Sequence, residues 1–339
     1  MRAEFALIRR YFSRAVPRDS GVFLGTGDDA ALLSPSPGMF LAASCDTLHV
    51  GVHFLPETNP RDLGWKTLAV NLSDLAAMGA APRWAMLAIS LPRADAEWLS
   101  AFSEGFYACA ETFSVTLVGG DVTEGALSFT VTALGEAPPE SVLRRGGAQA
   151  EDDLWVSGTP GRAALGLDFL RGRLALPEVW QPPCVQALQR PVPRVALGLA
   201  LREKARRGLV HAAIDVSDGL MADIGHLAAA SGVVAHIETP LLPPLPEGVA
   251  EEIARAAQYS GGDDYELVFA AAPRARDELF CLAQELNLPL TRIGTMRAKS
   301  PHTPALDPLE TENAVNLIGA NGETIFWPRA GYAHFEKAE

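Results

Sequence analysis

Nine aspartates recur along the chain, mostly beside glycine, serine or threonine: Asp28 and Asp29 in GTGDDAALL, Asp46 in SCDT, Asp74 in NLSD, Asp121 in GGDV, Asp215 and Asp218 in DVSDG, and Asp263 and Asp264 in GGDDY. Carboxylate oxygens are hard ligands of the kind Mg2+ selects, and Mg2+ in turn binds phosphate, so the chemistry in reach is metal-assisted handling of phosphates. Each motif also has a plainer explanation. Gly27-Asp28-Asp29 suits a turn, Asp74 suits the solvated side of a helix, and Asp121 suits a tight glycine loop. Ser217 or Asp218 could cap a helix carrying Leu220, Ile224 and Leu227. DVSDG is not an EF-hand loop, because His226 stands where that loop needs a bidentate glutamate. GGDDYEL shares letters with the GGDEF signature, but the surrounding chain lacks that domain's plan.

The bulk composition sharpens the metal argument. The chain has 339 residues, 48% hydrophobic, with 28 basic and 41 acidic side chains and a formal charge of -13. It is long enough for two domains with a substantial core, and its charge repels nucleic acid and anionic membranes. The one basic cluster, Arg202, Lys204, Arg206 and Arg207, reads as the solvated face of a helix. An acidic protein that handles phosphates needs cations to supply the positive charge. Cys45, Cys109, Cys184 and Cys281 are scattered without a CxxC pair, which points away from zinc and disulfides and towards a reducing cytoplasm. No apolar run approaches the roughly 20 residues of a membrane span. Phe5, Ile8 and Phe12 at helical spacing, with Glu4 among them, read as a first helix of the domain and not as a transit peptide.

These residues must be held by elements the pattern partly predicts. FLAASCDTLHVGVHF reads as two strands around an acidic turn, placing the first acidic clusters at strand ends. A helix is predicted over Pro60 to Met78, ended by Gly79 and Pro82. A strand follows at Trp84–Leu91, a helix at Ala94–Phe113, and a strand pair at Val115–Val118 and Leu127–Leu134. APPESVLRRGGAQAEDD, rich in proline, glycine and charge, marks a junction, giving domains at 1–140 and 150–339. The second opens with the strand LWVSG and a helix from GTPGRAALGLDFL. QPP and RPVPR are expected to run over the surface, and IDVSDGLMADIGHLAAASG reads as strand, acidic turn and helix. Strands and helices mix without a regular βαβ series, an α+β to α/β arrangement.

The order of the motifs is more specific than any one of them. GDDAALL from Gly27, CDTLHVGVHF from Cys45, AVNLSDLAAMGA from Ala69, LVGGDVT from Leu117, RRGGA from Arg144, VSGTPG from Val156, IDVSDGL from Ile214, SGGDDYEL from Ser260 and GYAHF from Gly331 closely resemble the thiamine-monophosphate kinase family across almost the whole chain. That family sits in a superfamily with aminoimidazole ribonucleotide synthetase and selenophosphate synthetase. The resemblance implies the two-domain, PurM-like fold of aminoimidazole ribonucleotide synthetase, with the N-terminal ATP- and Mg2+-binding domain forming a β-barrel across a homodimer. It implies ATP-dependent phosphorylation of thiamine monophosphate to thiamine diphosphate, the last step of thiamine diphosphate biosynthesis.

Carried over residue by residue, the resemblance implies several Mg2+ ions held by Asp29, Ser44, Cys45, Asp46, Asp74, Asp121, Asp215 and Asp218. Cys45 would contribute its backbone carbonyl, since a thiol is a poor Mg2+ ligand, and many members carry threonine there. Gly120, Asp121, Arg145 and Ser217 match nucleotide contacts, and His53, Asp263 and Tyr332 match substrate contacts. Asp46, Asp74, Asp121 and Arg145 would carry catalysis. Position 263 departs from the family's Gly-Gly-Glu-Asp, because Asp263 is one methylene shorter than the usual glutamate. Trp327 is expected only to pack.

The sequence has neither a P-loop nor the protein-kinase signature set, so ordinary kinase architectures do not apply. Another ATP-dependent enzyme of the superfamily is the nearest rival, and His53, GGDDYEL and GYAHF argue against it. A silent nucleotide sensor would have lost the aspartates. An acidic metal buffer would not need Arg145 or the ordered glycine-rich segments.

Overall fold

The structure is a computed structural model, and it describes residues 3–299, 314–327 and 331–332. The chain divides into two compact units, one of residues 1–76 and 80–140 and one of 77–79 and 141–339.

The first unit begins with helix α1 (Ala3–Leu7), which runs on into a wider turn over Ile8–Phe12, and a small antiparallel pair, β1 (Val22–Leu24) and β2 (Leu32–Leu33). Its main sheet has the order β3 (Phe40–His49), β6 (Ser128–Ala137), β4 (Ala81–Leu91), β5 (Thr116–Glu124). Helices α2 (Pro60–Ala77) and α3 (Ala96–Thr112) accompany it, and the carboxylate of Asp95 caps α3 by accepting the N–H groups of Glu97 and Trp98. Alternate residues of β6 and β4, such as Phe129, Val131, Leu87 and Ile89, are buried, and Phe102 of α3 stacks on Phe129 at 4.7 Å. The opposite face carries Cys45, Thr47, Met86, Ala88, Thr130 and Thr132, whose registers place them side by side.

Three expectations for this unit change. FLAASCDTLH is one strand, with Asp46 inside it: all ten residues of β3 pair with β6, so no turn interrupts them. The predicted pairing of the two strands after α3 does not occur. The long crossover helix α3 lets β5 lie parallel to β4, and β6 inserts between β3 and β4. Pro82 does not end an element but lies inside β4, at an irregularity in its pairing with β6 where a missing N–H is tolerated.

The second unit is built on a seven-stranded sheet ordered β13 (Thr324–Ile325), β12 (Val315–Ile318), β9 (Val233–Glu238), β11 (Leu290–Ala298), β7 (Asp153–Ser157), β10 (Glu266–Ala271), β8 (Val210–Val216). The pairs are antiparallel except β12 with β9. Helices α4 (Arg162–Leu170), α5 (Gln181–Gln189), α6 (Val195–Ala205), α7 (Leu220–Ser231), α8 (Glu251–Ser260) and α9 (Arg276–Glu285) complete it. Every residue of β7 and β10 is buried because both faces are covered. Leu154 and Val156 join Ile224 and Leu227 of α7 in one core, while Trp155 stacks on Phe269 and meets Phe280 of α9.

QPP is not a surface connector. Its prolines occupy the first turn of α5, where a missing N–H costs nothing. Nor is the basic cluster of α6 wholly solvated: the side chains of Arg202 and Lys204 are each only 15% exposed, and Lys204 and Arg207 both pair with Glu278 of α9.

Candidate active site

In the first unit, strand alternation sends Ser44 and Asp46 to the face that α2 approaches and Cys45 to the other. Helix periodicity places Asn71 and Asp74 one turn apart on α2, towards that same edge of β3. The Ser44 hydroxyl donates to the carboxylate of Asp74, and the main-chain N–H of Asp46 donates to Asn71 Oδ1 at 3.0 Å. Ser44, Asp46 and Asp74 are half-buried and Asn71 is fully buried. Asn71 is a site residue that the sequence reading missed, although its spacing from Asp74 was the available signal.

The other residues of this unit are placed separately. Asp29 is exposed in the turn between β1 and β2, where its N–H donates to Asp28 Oδ1 at 2.8 Å. Asp121 is exposed on β5 and opposes Ala88, so it lies on the other face and the other edge of the sheet from Asp46, three strand spacings or roughly 14 Å away. Gly120 has φ +147°, and a Cβ there would collide with the carbonyl of Leu87, so only glycine lets β5 approach β4 at this point. His53 lies just after β3. Its Nδ1 accepts the N–H of His49 at 3.0 Å, which in the neutral ring leaves Nε2 as the donor, and its carbonyl accepts from the buried Lys66 ammonium at 3.1 Å.

In the second unit the site is a loop, Val216–Gly219, at the end of β8. Asp215 is buried near the end of that strand, and Ser217 and Asp218 are half-buried. The N-cap position of α7 is Gly219, and the loop that leads to it is tied from inside the helix by Asp223, whose Oδ2 accepts the N–H groups of Ser217, Asp218 and Gly219, each at 3.1 Å. Burial, followed by the neighbouring charges of Asp215 and Asp218, pushes the Asp223 carboxyl well above the usual carboxylate range, and the N–H donors pull the other way. The signal for Asp223 was an aspartate in the first helical turn, four residues after a glycine.

Arg145 is exposed in a segment that runs beside β8, where Ala213 N–H donates to the carbonyl of Arg144 at 3.0 Å and Ser231 donates to that of Arg145 at 3.1 Å. Asp263 N–H donates to Ser217 O and Tyr332 N–H to Asp218 O, both at 2.8 Å. The structure therefore gathers Asp215, Ser217, Asp218, Asp263 and Tyr332 around one loop, with Arg145 beside the strand that leads to it. Residues 333–335 of GYAHF lie outside the described residues.

The paired aspartates of GGDDY separate in role. Asp263 is held at φ +68° with its carboxylate accepting from the Tyr265 hydroxyl at 2.9 Å. Asp264 is buried and accepts the N–H groups of Gly161 and Ala163 at the start of α4, and burial pushes its pKa up to about 8. It is a helix cap. Just before this motif, Ser260 Oγ accepts from the Trp327 indole at 2.7 Å, and the indole ring meets Tyr259 edge-on at 5.0 Å.

The donors fit Mg2+ by type. Ser44, Asp46 and Asp74 offer only oxygen, and the Cys45 thiol is turned to the opposite face. Among the described residues no three His, Cys, Asp or Glu side chains are gathered to hold an ion by themselves. Two carboxylates with the remaining positions left to water and substrate phosphate is the usual way Mg2+ is bound.

Residues 27–137 match the family described as AIR synthase related protein, N-terminal domain, and residues 178–306 its C-terminal domain. The thiamine-monophosphate kinase of Salmonella typhimurium is 44% identical over 98% of both chains. The crystal structure of thiamine-monophosphate kinase from Stenotrophomonas maltophilia K279a is 47% identical with a TM-score of 0.82, over 95% of this chain and 98% of that one. A structure described as AaThiL complexed with AMPPCP and TMP is 27% identical with a TM-score of 0.73, over 89% of each chain. In both halves of its two-domain α+β fold and across nearly its full length, this chain belongs to the thiamine-monophosphate kinase family.

Proposed function

We propose that this chain transfers the γ-phosphoryl group of ATP to thiamine monophosphate, giving thiamine diphosphate and ADP, the last step of thiamine diphosphate biosynthesis. The observation that carries the reading is the shared loop of the second unit: one strand end holds the residues matched to nucleotide and metal, and hydrogen bonds to that same loop hold Asp263 and Tyr332, matched to the acceptor. We assign residues 1–140 to ATP and Mg2+ binding and dimerisation, and 150–339 to the second, α/β domain.

Both reactants are anions, and Asp29, Ser44, Asp46, Asp74, Asp121, Asp215 and Asp218, with the Cys45 carbonyl, would hold Mg2+ ions whose positive charge would let them meet. Ser44 and Asn71 orient the Asp74 and Asp46 ends of this set. Gly120, Asp121, Arg145 and Ser217 bind the nucleotide, and the Arg145 guanidinium offsets charge on the transferring group. His53, with Nε2 as donor, suits an acceptor phosphate oxygen. Asp263 suits the cationic thiazolium by charge, and Tyr332, 50% exposed, offers a ring face to it.

The acceptor phosphate is already largely ionised at neutral pH, its second pKa being about 6, so no general base is needed. The bond from the γ-phosphorus to the bridging oxygen breaks, the electron pair leaves with ADP, and a bond to the acceptor oxygen forms in line, without a phosphoenzyme. Mass spectrometry of the product from ATP, Mg2+ and thiamine monophosphate tests the reaction, and thiamine diphosphate is the expected product. A phosphorylated protein trapped by rapid quench would contradict direct transfer.

We further propose a homodimer closed through the first unit. The β3 and β5 edges of its sheet are unpaired among the described residues, and the face bearing Cys45 and Met86 is exposed. Joining two copies into a barrel would satisfy both edges and cover that face. A monomer in analytical ultracentrifugation would overturn it. A cytoplasmic location accords with four cysteines that form no disulfide with one another and with no helix, among the described residues, long and apolar enough to cross a membrane.

A further inference from the structure

We infer that Asp223 is a positioning residue that makes the Val216–Gly219 loop a single rigid hub, so that the nucleotide side and the acceptor side of the reaction are fixed together. The inference rests on the functional reading above for Ser217, Asp218, Asp263 and Tyr332.

The loop's polar groups are used on both sides. Its three successive N–H groups, from Ser217, Asp218 and Gly219, converge on one oxygen of Asp223, which is 3% exposed. Its three successive carbonyls, of Val216, Ser217 and Asp218, accept the N–H groups of Tyr265, Asp263 and Tyr332, each at 2.8 Å. The backbones touch: a Cβ on Gly262 would lie 2.6 Å from Ser217 O, and one on Gly331 would lie 2.7 Å from Asp218 O. The Tyr265 hydroxyl then fixes the Asp263 carboxylate. Asp223 acts on the acceptor side only through this loop. Any displacement of the loop that it permits moves Asp218, Asp263 and Tyr332 as one body.

Asp223→Ala removes the oxygen on which the three N–H groups converge and leaves them without that acceptor. Hydrogen–deuterium exchange and calorimetry read its effect, with Ile224→Val, a methylene removed from the same buried turn, as the stability control. The amides of Ser217, Asp218, Gly219, Asp263 and Tyr332 should exchange roughly tenfold faster or more in Asp223→Ala, the worth of about one buried hydrogen bond lost. The Kd for a non-hydrolysable ATP analogue with Mg2+ and the Kd for thiamine monophosphate should both rise by similar factors, and Ile224→Val should move neither. A rise in only one Kd, or equal rises in the control, would overturn the coupling.

The wild-type protein provides a test that needs no variant to fold. Adding the ATP analogue with Mg2+ alone should slow exchange at Asp263 and Tyr332, and unchanged exchange there refutes the hub. If Asp223→Ala speeds exchange at all five amides but leaves both affinities intact, the hub exists and the assignment of these residues to the two substrates is what fails.

Discussion

Asn71 on α2 accepts the main-chain N–H of Asp46 on edge strand β3 at 3.0 Å. Among the described residues β3 has a strand neighbour on one side alone, and this N–H is met by a side chain from the helix. Asn71→Leu removes the acceptor and leaves that N–H without its partner. A loss of about 1–3 kcal/mol in urea unfolding is expected, with a higher Mg2+ concentration for half-maximal activity. Unchanged Mg2+ dependence would separate Asn71 from the site.

Asp46→Asn and Asp74→Asn retain shape, and the amide oxygen introduced at position 74 can still accept from Ser44, but a neutral amide is a weaker ligand for a hard cation. Each variant should lose turnover by more than roughly tenfold, beyond the lower range for loss of an outer partner at a metal site, while remaining folded. Steady-state rates across a Mg2+ series with circular dichroism as the fold check decide it. Near wild-type turnover at limiting Mg2+ would remove the shared-metal reading.

Glu266 is buried beside the site strand and is bound by Arg194 through two contacts, at 2.5 and 2.7 Å. Arg194→Met strands that charge and should cost about 3–5 kcal/mol, whereas Arg194→Met with Glu266→Gln should recover much of it. Thermal melts of the two variants would show it, and equal losses in both would contradict the ion-pair account.

Asp264 supplies a pH dependence. Its folded pKa of about 8, raised by burial, lies above the ordinary aspartate value of about 3.9 in the unfolded chain. Between the two values the folded state holds a proton that the unfolded state has released, so stability falls as pH rises through that window. Asp264→Asn should flatten the slope, as measured by urea midpoints from about pH 5 to 8, and an unaltered slope would show that another group titrates.

Legibility in the sequence followed locality. Pro60 and the following periodicity placed α2, with the structure ending it at Ala77, because a helix is specified by neighbours a turn apart. The interior position of Asp46 in β3 and the insertion of β6 between β3 and β4 depend on partners far along the chain, such as Val131 opposite Asp46, which no local pattern records. At the site the motif letters were informative but their division of labour was not. Asp263 and Asp264 are adjacent and chemically identical, yet one hydrogen-bonds to the Val216–Gly219 loop and the other caps α4, a difference set by φ +68° at Asp263. Asp223 and Asn71 escaped notice because each acts through another residue's backbone.

Trp327 gives the segment leading to Asp263 an optical handle. Half-buried, it is hydrogen-bonded to Ser260, three residues before Asp263, while Trp84 and Trp155 are wholly enclosed and so insulated from events at the surface. Its emission should shift in wavelength when the 260–263 segment moves, so thiamine monophosphate arrival can be followed by stopped-flow fluorescence without a dye, and Trp327→Phe should silence the signal.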